Sequence, residues 1–191
     1  MDNHADWAHF GPVHHATPTS YKSTVHKHVF TSQMIGSSAS LAEGDELFSE
    51  ATYYGPAYMV SYMTGGMAGE EIASRLLVAH VPIDVNAFDL RFGVMVRKNP
   101  RLSDEQNAQL IRAYSEASRL AFLEDVAVWR TKTRIDNPLL CDGDGPIHLL
   151  RQWYNQFYVD AASVGTRWLE SKTIVIDVEG HRSANNRDME P

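Results

Sequence analysis

A single long amphipathic helix is predicted by the stretch SDEQNAQLIRAYSEASRLAFLEDVAVWR, residues 103–130. It opens with a capping box, in which Ser103 and Gln106 can each bond the other's backbone N–H. Apolar residues then recur at helical spacing, so we expect the helix to run from about Asp104 towards Lys132. This stripe contains Leu110, Tyr114, Ala117, Ala121 and Val128, with the carboxylate of Asp125 among them. Because a charge in a core-facing stripe is costly unless it is compensated, Asp125 is a candidate functional residue.

Five β-like runs precede this helix. They are rich in Val, Tyr, Phe and Met, and turn signals such as Gly55-Pro56 and Gly65-Gly66 separate them. The runs are His26–Ile35, Glu46–Tyr54, Tyr58–Met63, Ser74–Pro82 and Phe88–Val96. Short connections between successive runs favour an antiparallel meander. A set of strands followed by a long helix predicts an α+β fold.

The ends of the chain have weaker signals. Residues 2–13 predict a short helix that is broken at Gly11-Pro12. Towards the C-terminus we expect a second amphipathic helix over about Ile147–Ala162 and a last strand over Lys172–Val178. The sequence therefore predicts one domain over residues 1–178, followed by a polar tail over residues 179–191.

Composition excludes several classes of function. The formal net charge is −7 and no cluster of Lys or Arg offers a surface for phosphates, which argues against nucleic acid as a partner. No apolar run approaches the roughly 18 residues of a membrane span, so we expect a soluble, cytoplasmic protein. The single cysteine, Cys141, can neither form an intrachain disulfide nor supply the paired cysteine ligands of an iron–sulfur cluster.

The N-terminus is unusually rich in histidine, with six of nine histidines in the first 28 residues. Within it, Asp6, His9 and His14 form the pattern Asp-x-x-His-x-x-x-x-His. Asp6 and His9 would share a helix face, and a break at Gly11-Pro12 would let His14 turn back towards His9. Two imidazoles and one carboxylate form the facial triad of non-haem iron enzymes. Taken alone, two histidines in a histidine-rich terminus are more often solvent-exposed or locally hydrogen-bonded than metal ligands.

The carboxylate of such a triad would have to come from another part of the chain. Asp125 is the best candidate, although an ion pair with Arg130 would also explain its place in the helix stripe. Glu124 is nearly as well placed. Periodicity alone does not separate Asp125 from Glu124.

Four stretches carry a resemblance to a known family. Residues 3–10 together with His14 resemble the Asn-x-x-Asp-x-x-His-x-x-x-x-His motif of Rieske oxygenase catalytic domains. Three more stretches resemble the oxygenase components of the 3-ketosteroid 9α-hydroxylases more closely than the wider family. These are Glu50–Met59, Phe122–Trp129, and Lys132–Leu140 continuing into Arg151–Asp160. The resemblance spans nearly the whole chain, but Gly11-Pro12 departs from the family's bulkier pair.

The resemblance implies roles for three residues of the motif and for two carboxylates of the long helix. His9, His14 and Asp125 would hold one Fe(II) ion, with O2 as co-substrate. Asp6 would be the bridging carboxylate through which an electron from a neighbouring Rieske cluster reaches the iron. Glu124 would lie in the outer shell of the site.

The resemblance also implies a helix-grip (START/Bet v 1-like) fold, in which an antiparallel sheet wraps around the long helix and a hydrophobic cavity lies between them. We expect this cavity to accept a steroid: a ketosteroid, a sterol or a bile acid. Candidate lining residues are Tyr54, Met59, Val60, Met63, Phe88 and Phe92, each of which could instead be ordinary core.

The implied reaction is an O2- and NADH-dependent steroid hydroxylation by a Rieske-type monooxygenase. Because this chain has one cysteine, we expect the [2Fe-2S] Rieske cluster on a partner chain, with a reductase supplying electrons and a trimer-based hetero-oligomer as the assembly. The alternative function is a non-catalytic helix-grip protein that binds steroids or lipids.

Overall fold

One antiparallel sheet of seven strands dominates the computed structural model, which describes residues 2–39, 41, 44–67, 70–84, 87–158 and 172–177. The strands are β1 Ala16–His26, β2 Val29–Ser38, β3 Leu47–Tyr54, β4 Tyr58–Met67, β5 Glu70–Asp84, β6 Ala87–Val96 and β7 Lys172–Asp177. Their order across the sheet is β6-β5-β4-β3-β2-β1-β7. The first six strands therefore form a continuous antiparallel meander, which confirms the predicted topology but has one strand more than the five predicted runs, and β7 pairs with β1.

Three α-helices accompany the sheet in the described part of the chain, which makes the fold α+β. They are α1 Phe10–His14, α2 Asp104–Trp129 and α3 Ile147–Asn155. Short 3-10 turns occur at Asp2–His4, Trp7–His9 and Asp142–Asp144. None of the described helices is long and apolar enough to cross a membrane.

The prediction of α2 is confirmed, including its first turn. The Ser103 hydroxyl accepts from the Gln106 backbone N–H at 3.2 Å, and the Gln106 side chain accepts from the Ser103 N–H at 2.8 Å. These two bonds satisfy N–H groups that a helix start leaves without partners.

The sequence-based prediction missed β1 and placed the following strand incorrectly. The predicted run His26–Ile35 crosses a tight turn, because β1 ends at His26 and β2 begins at Val29. Lys27, in this turn, has a left-handed φ of 53°. The strand β1 was missed because its exposed face carries Thr, Pro and Lys, so its apolar signal is confined to alternate positions.

The expected helix break at Gly11-Pro12 is also wrong. Both residues lie inside the first turn of α1, where a proline removes no intrahelical hydrogen bond. The helix ends instead at His15, which takes a left-handed φ of 53° while its N–H bonds the Gly11 carbonyl at 3.1 Å.

Towards the C-terminus, the second predicted helix begins at Ile147 as expected and ends at Asn155, earlier than Ala162. The last strand is found at Lys172–Asp177. Val178 and the predicted tail at residues 179–191 lie outside the described residues.

The strand register gives the sheet two distinct faces. Val25, Phe30, Tyr53, Met59, Val78 and Phe92 are successive cross-strand partners, and we call the face that they share the inner face. The next row on this face begins with Ser23, Ser32, Ala51 and Ser61, which are small. Since alternate residues of a strand point to opposite faces, each neighbour of these residues along its strand lies on the outer face.

Two helices cover different parts of the inner face: α3 packs on it near β2, and α2 packs on it near β5 and β6. The Trp153 indole of α3 is fully buried and packs on Phe30 with ring centroids 5.5 Å apart. On the β5–β6 side, the Tyr114 hydroxyl of α2 bonds Ser74 at 2.6 Å, and Phe122 packs on Phe92 at 5.0 Å. Full burial of an aromatic side chain such as Phe30 contributes roughly 1.5–3 kcal/mol. These contacts fix α2 across the inner face.

The N-terminal segment, residues 2–14, is held between the sheet and the helices. The hydroxyls of Tyr21 and Ser32, on the inner face, both donate to the His4 backbone carbonyl. At the segment's start, the Arg151 guanidinium from α3 donates to both carboxylate oxygens of Asp2, at 2.9 and 3.3 Å. Lys132 lies 3.3 Å from the same carboxylate.

The Asp2 contacts predict an acid-sensitive contribution to stability. Burial alone would raise the pKa of Asp2, but the Arg151 hydrogen bonds and the charges of Lys132 and Arg151 lower it to about 2. The folded pKa lies below the ordinary value of 3.8, so the stabilisation is complete above that value and is lost as the pH falls towards 2. We expect Asp2→Asn to lower the free energy of unfolding at pH 7 by about 1–2 kcal/mol, measured by urea denaturation.

A matched control for this prediction is Glu116→Gln, which removes an exposed carboxylate paired with Arg119 at 2.6 Å. We expect that change to have little effect, because exposed ion pairs contribute little. A difference between Asp2→Asn and the wild type that stayed constant from pH 7 to pH 2.5 would contradict the assigned role of Asp2.

Candidate metal centre

Three residues from three elements converge beside α2. His9 ends the 3-10 turn Trp7–His9, His14 is the last residue of α1, and Asp125 lies in the last third of α2. One donor atom from each side chain lies within 4.8 Å of the other two. The structure thus brings together the two histidines and the aspartate that the sequence analysis selected.

His14 bridges the two neighbouring carboxylates of α2. Its Nε2 atom lies 3.3 Å from Asp125 Oδ1, and its Nδ1 atom lies 3.2 Å from Glu124 Oε2. Burial would lower the pKa of His14, but the hydrogen bonds and charges of Asp125 and Glu124 outweigh burial and raise it. Two carboxylates thus lie within 3.3 Å of this imidazole, an arrangement that favours a cation.

His9 is oriented by its own turn. Its Nδ1 atom contacts the backbone carbonyl of Asp6, so the Nδ1–H tautomer donates there and the Nε2 lone pair stays available for a metal. The ring stacks on Phe10 and meets His14 edge-on, with centroids 5.2 Å apart. The contact is made by the main-chain oxygen of Asp6 and not by its carboxylate.

The structure distinguishes Asp125 from Glu124, which periodicity could not. Successive residues of a helix point in directions about 100° apart. The Asp125 side chain is 14% exposed and faces His9 and His14. The Glu124 side chain is 48% exposed and contacts only Nδ1 of His14. The geometry therefore places Asp125 in the cluster and Glu124 behind it.

Two further residues at this site were not identified as functional by the sequence analysis. The Asn3 side-chain amide donates from Nδ2 to Asp125 Oδ1 at 2.8 Å, and its Oδ1 accepts from the Trp129 indole N–H at 3.0 Å. These contacts cross 122 and 126 positions of the chain, so local spacing does not predict them. The available signal was the resemblance, because Asn3 begins the matching motif and Trp129 ends the matching stretch Phe122–Trp129.

The donor set fits the metal that the sequence analysis proposed. Two imidazole nitrogens and one carboxylate are typical of non-haem Fe(II) sites, whereas Ca²⁺ and Mg²⁺ sites are built from oxygen ligands. Each imidazole has a second hydrogen-bond partner, the Asp6 carbonyl or the Glu124 carboxylate, that fixes its orientation. Three converging ligands can hold a metal and leave further coordination positions for other molecules.

The six predicted substrate-lining residues divide between the two faces of the sheet. Met59, Met63, Phe88 and Phe92 share the inner face that α2 crosses. Tyr54 and Val60 alternate with inner-face residues and therefore lie on the outer face, away from α2. Phe122 and Tyr114 extend the inner-face surface from the helix side. Tyr114 belongs to the predicted helix stripe, and Phe122 does not.

A sheet covered by a long helix, with two imidazoles and one carboxylate gathered at that helix, defines an α+β domain with a candidate mononuclear metal centre. Residues 1–158 match the family model described as 3-ketosteroid 9alpha-hydroxylase C-terminal domain, and the chain belongs to this family.

Curated relatives agree with this assignment. The chain is 38% identical over 172 residues to the oxygenase component of a 3-ketosteroid-9-alpha-monooxygenase from Rhodococcus rhodochrous, covering 86% of this chain and 44% of that protein. It is 34% identical over 200 aligned positions to the corresponding protein of Mycobacterium tuberculosis, covering 100% of this chain and 51% of the relative. A shorter match, 36% over 50 residues, is to a cholesterol 7-desaturase of Caenorhabditis elegans and covers 26% of this chain and 12% of that protein. The chain thus spans about half the length of the curated oxygenase components it matches.

Proposed function

We propose that this chain is the catalytic domain of a Rieske-type monooxygenase that hydroxylates a steroid at one non-haem iron ion. The observation that carries the proposal is the convergence of His9, His14 and Asp125 within 4.8 Å, in a chain of the 3-ketosteroid 9α-hydroxylase family. The resemblance had assigned the same three residues as ligands.

The proposal includes a helix-grip fold. Support comes from the position of α2, which crosses the inner face and contacts Ser74 and Phe92 near one edge of the sheet. The N-terminal segment and α3 cover the opposite part of the same face. A substrate in such a fold would lie between α2 and the inner face, beside the metal centre.

In this mechanism Fe(II), when bound, supplies the activation of O2 that insertion of one oxygen atom into a C–H bond requires. The protein holds the three ligands in fixed orientations. The Asp6 carbonyl holds Nδ1 of His9, and the Glu124 carboxylate accepts from Nδ1 of His14, so both Nε2 atoms can face the ion.

Inner-face side chains would bind the steroid and exclude water. Met59, Met63 and Phe92 present thioether and aromatic surface, and Phe122 adds a ring from α2. Such a surface favours a rigid apolar polycycle through burial of its area, and removal of water strengthens the electrostatic interactions at the metal centre.

The electrons for this reaction would come from outside these 191 residues. One cysteine cannot build a [2Fe-2S] Rieske cluster, so the cluster would lie elsewhere in the assembly, with a reductase that draws on NADH. Asp6 is the proposed entry point, since its main chain already contacts His9. A trimer-based assembly would place a neighbour's cluster close to that residue.

A non-catalytic steroid carrier is the alternative function. It would need the inner face but has no use for two imidazoles and a carboxylate in one cluster, because gathering them without a cation leaves a negative site partly buried. The metal centre therefore favours the oxygenase.

The ligand assignment predicts a clear pattern of metal loss. His14→Ala and Asp125→Ala should each lose most of the iron, because each removes one of three donors. His15→Ala should retain iron, and Glu124→Gln should retain most of it, since Glu124 touches only Nδ1 of His14. Iron per chain, measured by elemental analysis after anaerobic loading with Fe(II), distinguishes these cases, and full occupancy in Asp125→Ala would contradict the assignment.

The role of Asp6 predicts that binding and turnover can be separated. Asp6→Asn keeps the main-chain carbonyl that contacts His9, so iron content and steroid binding should match the wild type. Steroid hydroxylation with the cluster-bearing protein and reductase present should fall by about 10–100-fold. Normal turnover by Asp6→Asn would rule out the electron-transfer role while leaving the ligand assignment intact.

The substrate class predicts a selective thermal shift. A ketosteroid should raise the melting temperature of the iron-loaded chain more than a simple aromatic acid does, by mass action on the folded state. Phe92→Ala, on the inner face, should reduce the steroid-induced shift, whereas Tyr54→Ala, on the outer face, should keep it. Stabilisation by aromatic acids alone would assign a different substrate class.

A further inference from the structure

We infer that Asn3 is a positioning residue that fixes the carboxylate of Asp125 for metal binding, and that Trp129 fixes Asn3 in turn. The inference rests on the ligand set proposed above. It assigns to these two residues a function that the proposed function does not require.

The amide of Asn3 joins two groups on one face of α2. Asp125 and Trp129 are four residues apart on the helix, so their side chains lie one above the other. Asn3 Nδ2 donates to Asp125 Oδ1 at 2.8 Å, while Asn3 Oδ1 accepts from Trp129 Nε1 at 3.0 Å. One side chain from the N-terminal segment therefore satisfies a donor and an acceptor of the helix at once.

The chemistry of the two partners determines which way the amide points. An indole N–H can only donate, and an ionised carboxylate can only accept. The amide oxygen must therefore face Trp129 and the NH2 group must face Asp125. In the opposite orientation the amide oxygen would face the carboxylate, with repulsion at both ends. Trp129 thus keeps the donor of Asn3 directed at Asp125.

Metal binding makes this donor more important. A ligating imidazole turns a lone pair towards the ion, so Nε2 of His14 can no longer donate to Asp125 across its 3.3 Å separation. Asn3 Nδ2 needs no such change and continues to donate to Oδ1. Because the Asp125 side chain is only 14% exposed, water has limited access to replace a lost donor.

The position of Asn3 is itself secured on both sides. Asp2 is bound by Arg151 at 2.9 Å, and the His4 carbonyl accepts from the hydroxyl of Ser32 at 2.9 Å. The backbone of Asn3 therefore has little freedom. Its side-chain amide links the N-terminal segment, which carries both histidines, to α2, which carries Asp125.

The test measures Fe(II) affinity of the full 191-residue chain, under anaerobic conditions, by competition with a chromophoric chelator. Asn3→Ala should raise the Fe(II) dissociation constant by about 10–100-fold. Trp129→Phe keeps an aromatic ring but removes the N–H together with part of the indole, and it should raise the constant by about two- to tenfold. Absorption of Co(II), bound in place of Fe(II), should change in both variants because the carboxylate is no longer held in one orientation.

A double-mutant cycle separates positioning from general loss of structure. If Trp129 acts through Asn3, Trp129→Phe should have no further effect on Fe(II) affinity in an Asn3→Ala background. Trp153→Phe is the matched control, because its indole N–H is buried and lacks a hydrogen-bond partner among the described residues. It should leave Fe(II) affinity unchanged even if it lowers the melting temperature.

Three outcomes decide the question. Wild-type Fe(II) affinity in Asn3→Ala, with Asp125→Ala losing the metal, would overturn the role of Asn3 and leave the proposed function standing. Additive effects of Asn3→Ala and Trp129→Phe would overturn the coupling between them. Wild-type affinity in Asp125→Ala would show instead that the proposed ligand set is wrong.

Discussion

The attachment of residues 2–14 to α2 is the constraint on which the rest of the site depends. This segment consists of two 3-10 turns and a five-residue helix, which are too short to be stable alone. Its shape is imposed by contacts at both ends: Arg151 holds Asp2, and His14 reaches Asp125 and Glu124. Because the segment carries two of the three proposed ligands, any loosening of its contacts would separate the histidines from the aspartate.

The inner face of the sheet binds this N-terminal segment through hydrogen bonds and packing. The inner-face row that begins with Ser23, Ser32, Ala51 and Ser61 has small side chains at these four positions, and it lies beside a row of larger apolar ones. Small residues let the main chain of the segment approach closely enough for the Ser32 hydroxyl to reach the His4 carbonyl. His4 itself packs on Phe30 and Tyr53, where burial lowers its pKa to about 3 and keeps the ring neutral. Hydrogen bonding and packing therefore position the same segment.

The sequence predicted α2 but not β1, and the two elements differ in whether local residues or distant partners define them. A capping box and a periodic stripe of apolar residues predicted the long helix, and both patterns are local in the chain. The strand β1 carries Ser, Thr and Lys among its apolar residues and is defined by its pairing with β2 and β7, which a local pattern does not record. The Gly11-Pro12 prediction failed for a similar reason, since proline is compatible with a first helical turn and only the fold decides where that turn lies.

By itself the sequence determined the α+β order of elements, the meander, the long helix and the three residue types from which a metal centre could be built. These features follow from short-range spacing, which the chain encodes directly. Tertiary structure alone decided that Asp125 joins both histidines while Glu124 reaches only Nδ1 of His14, and that the Asp6 carbonyl contacts His9. It also decided that Asn3 bonds both Asp125 and Trp129, and that Tyr54 and Val60 lie on the outer face. Each of these facts joins residues from different elements or depends on strand register. Such contacts exist only after the sheet has brought distant parts of the chain together.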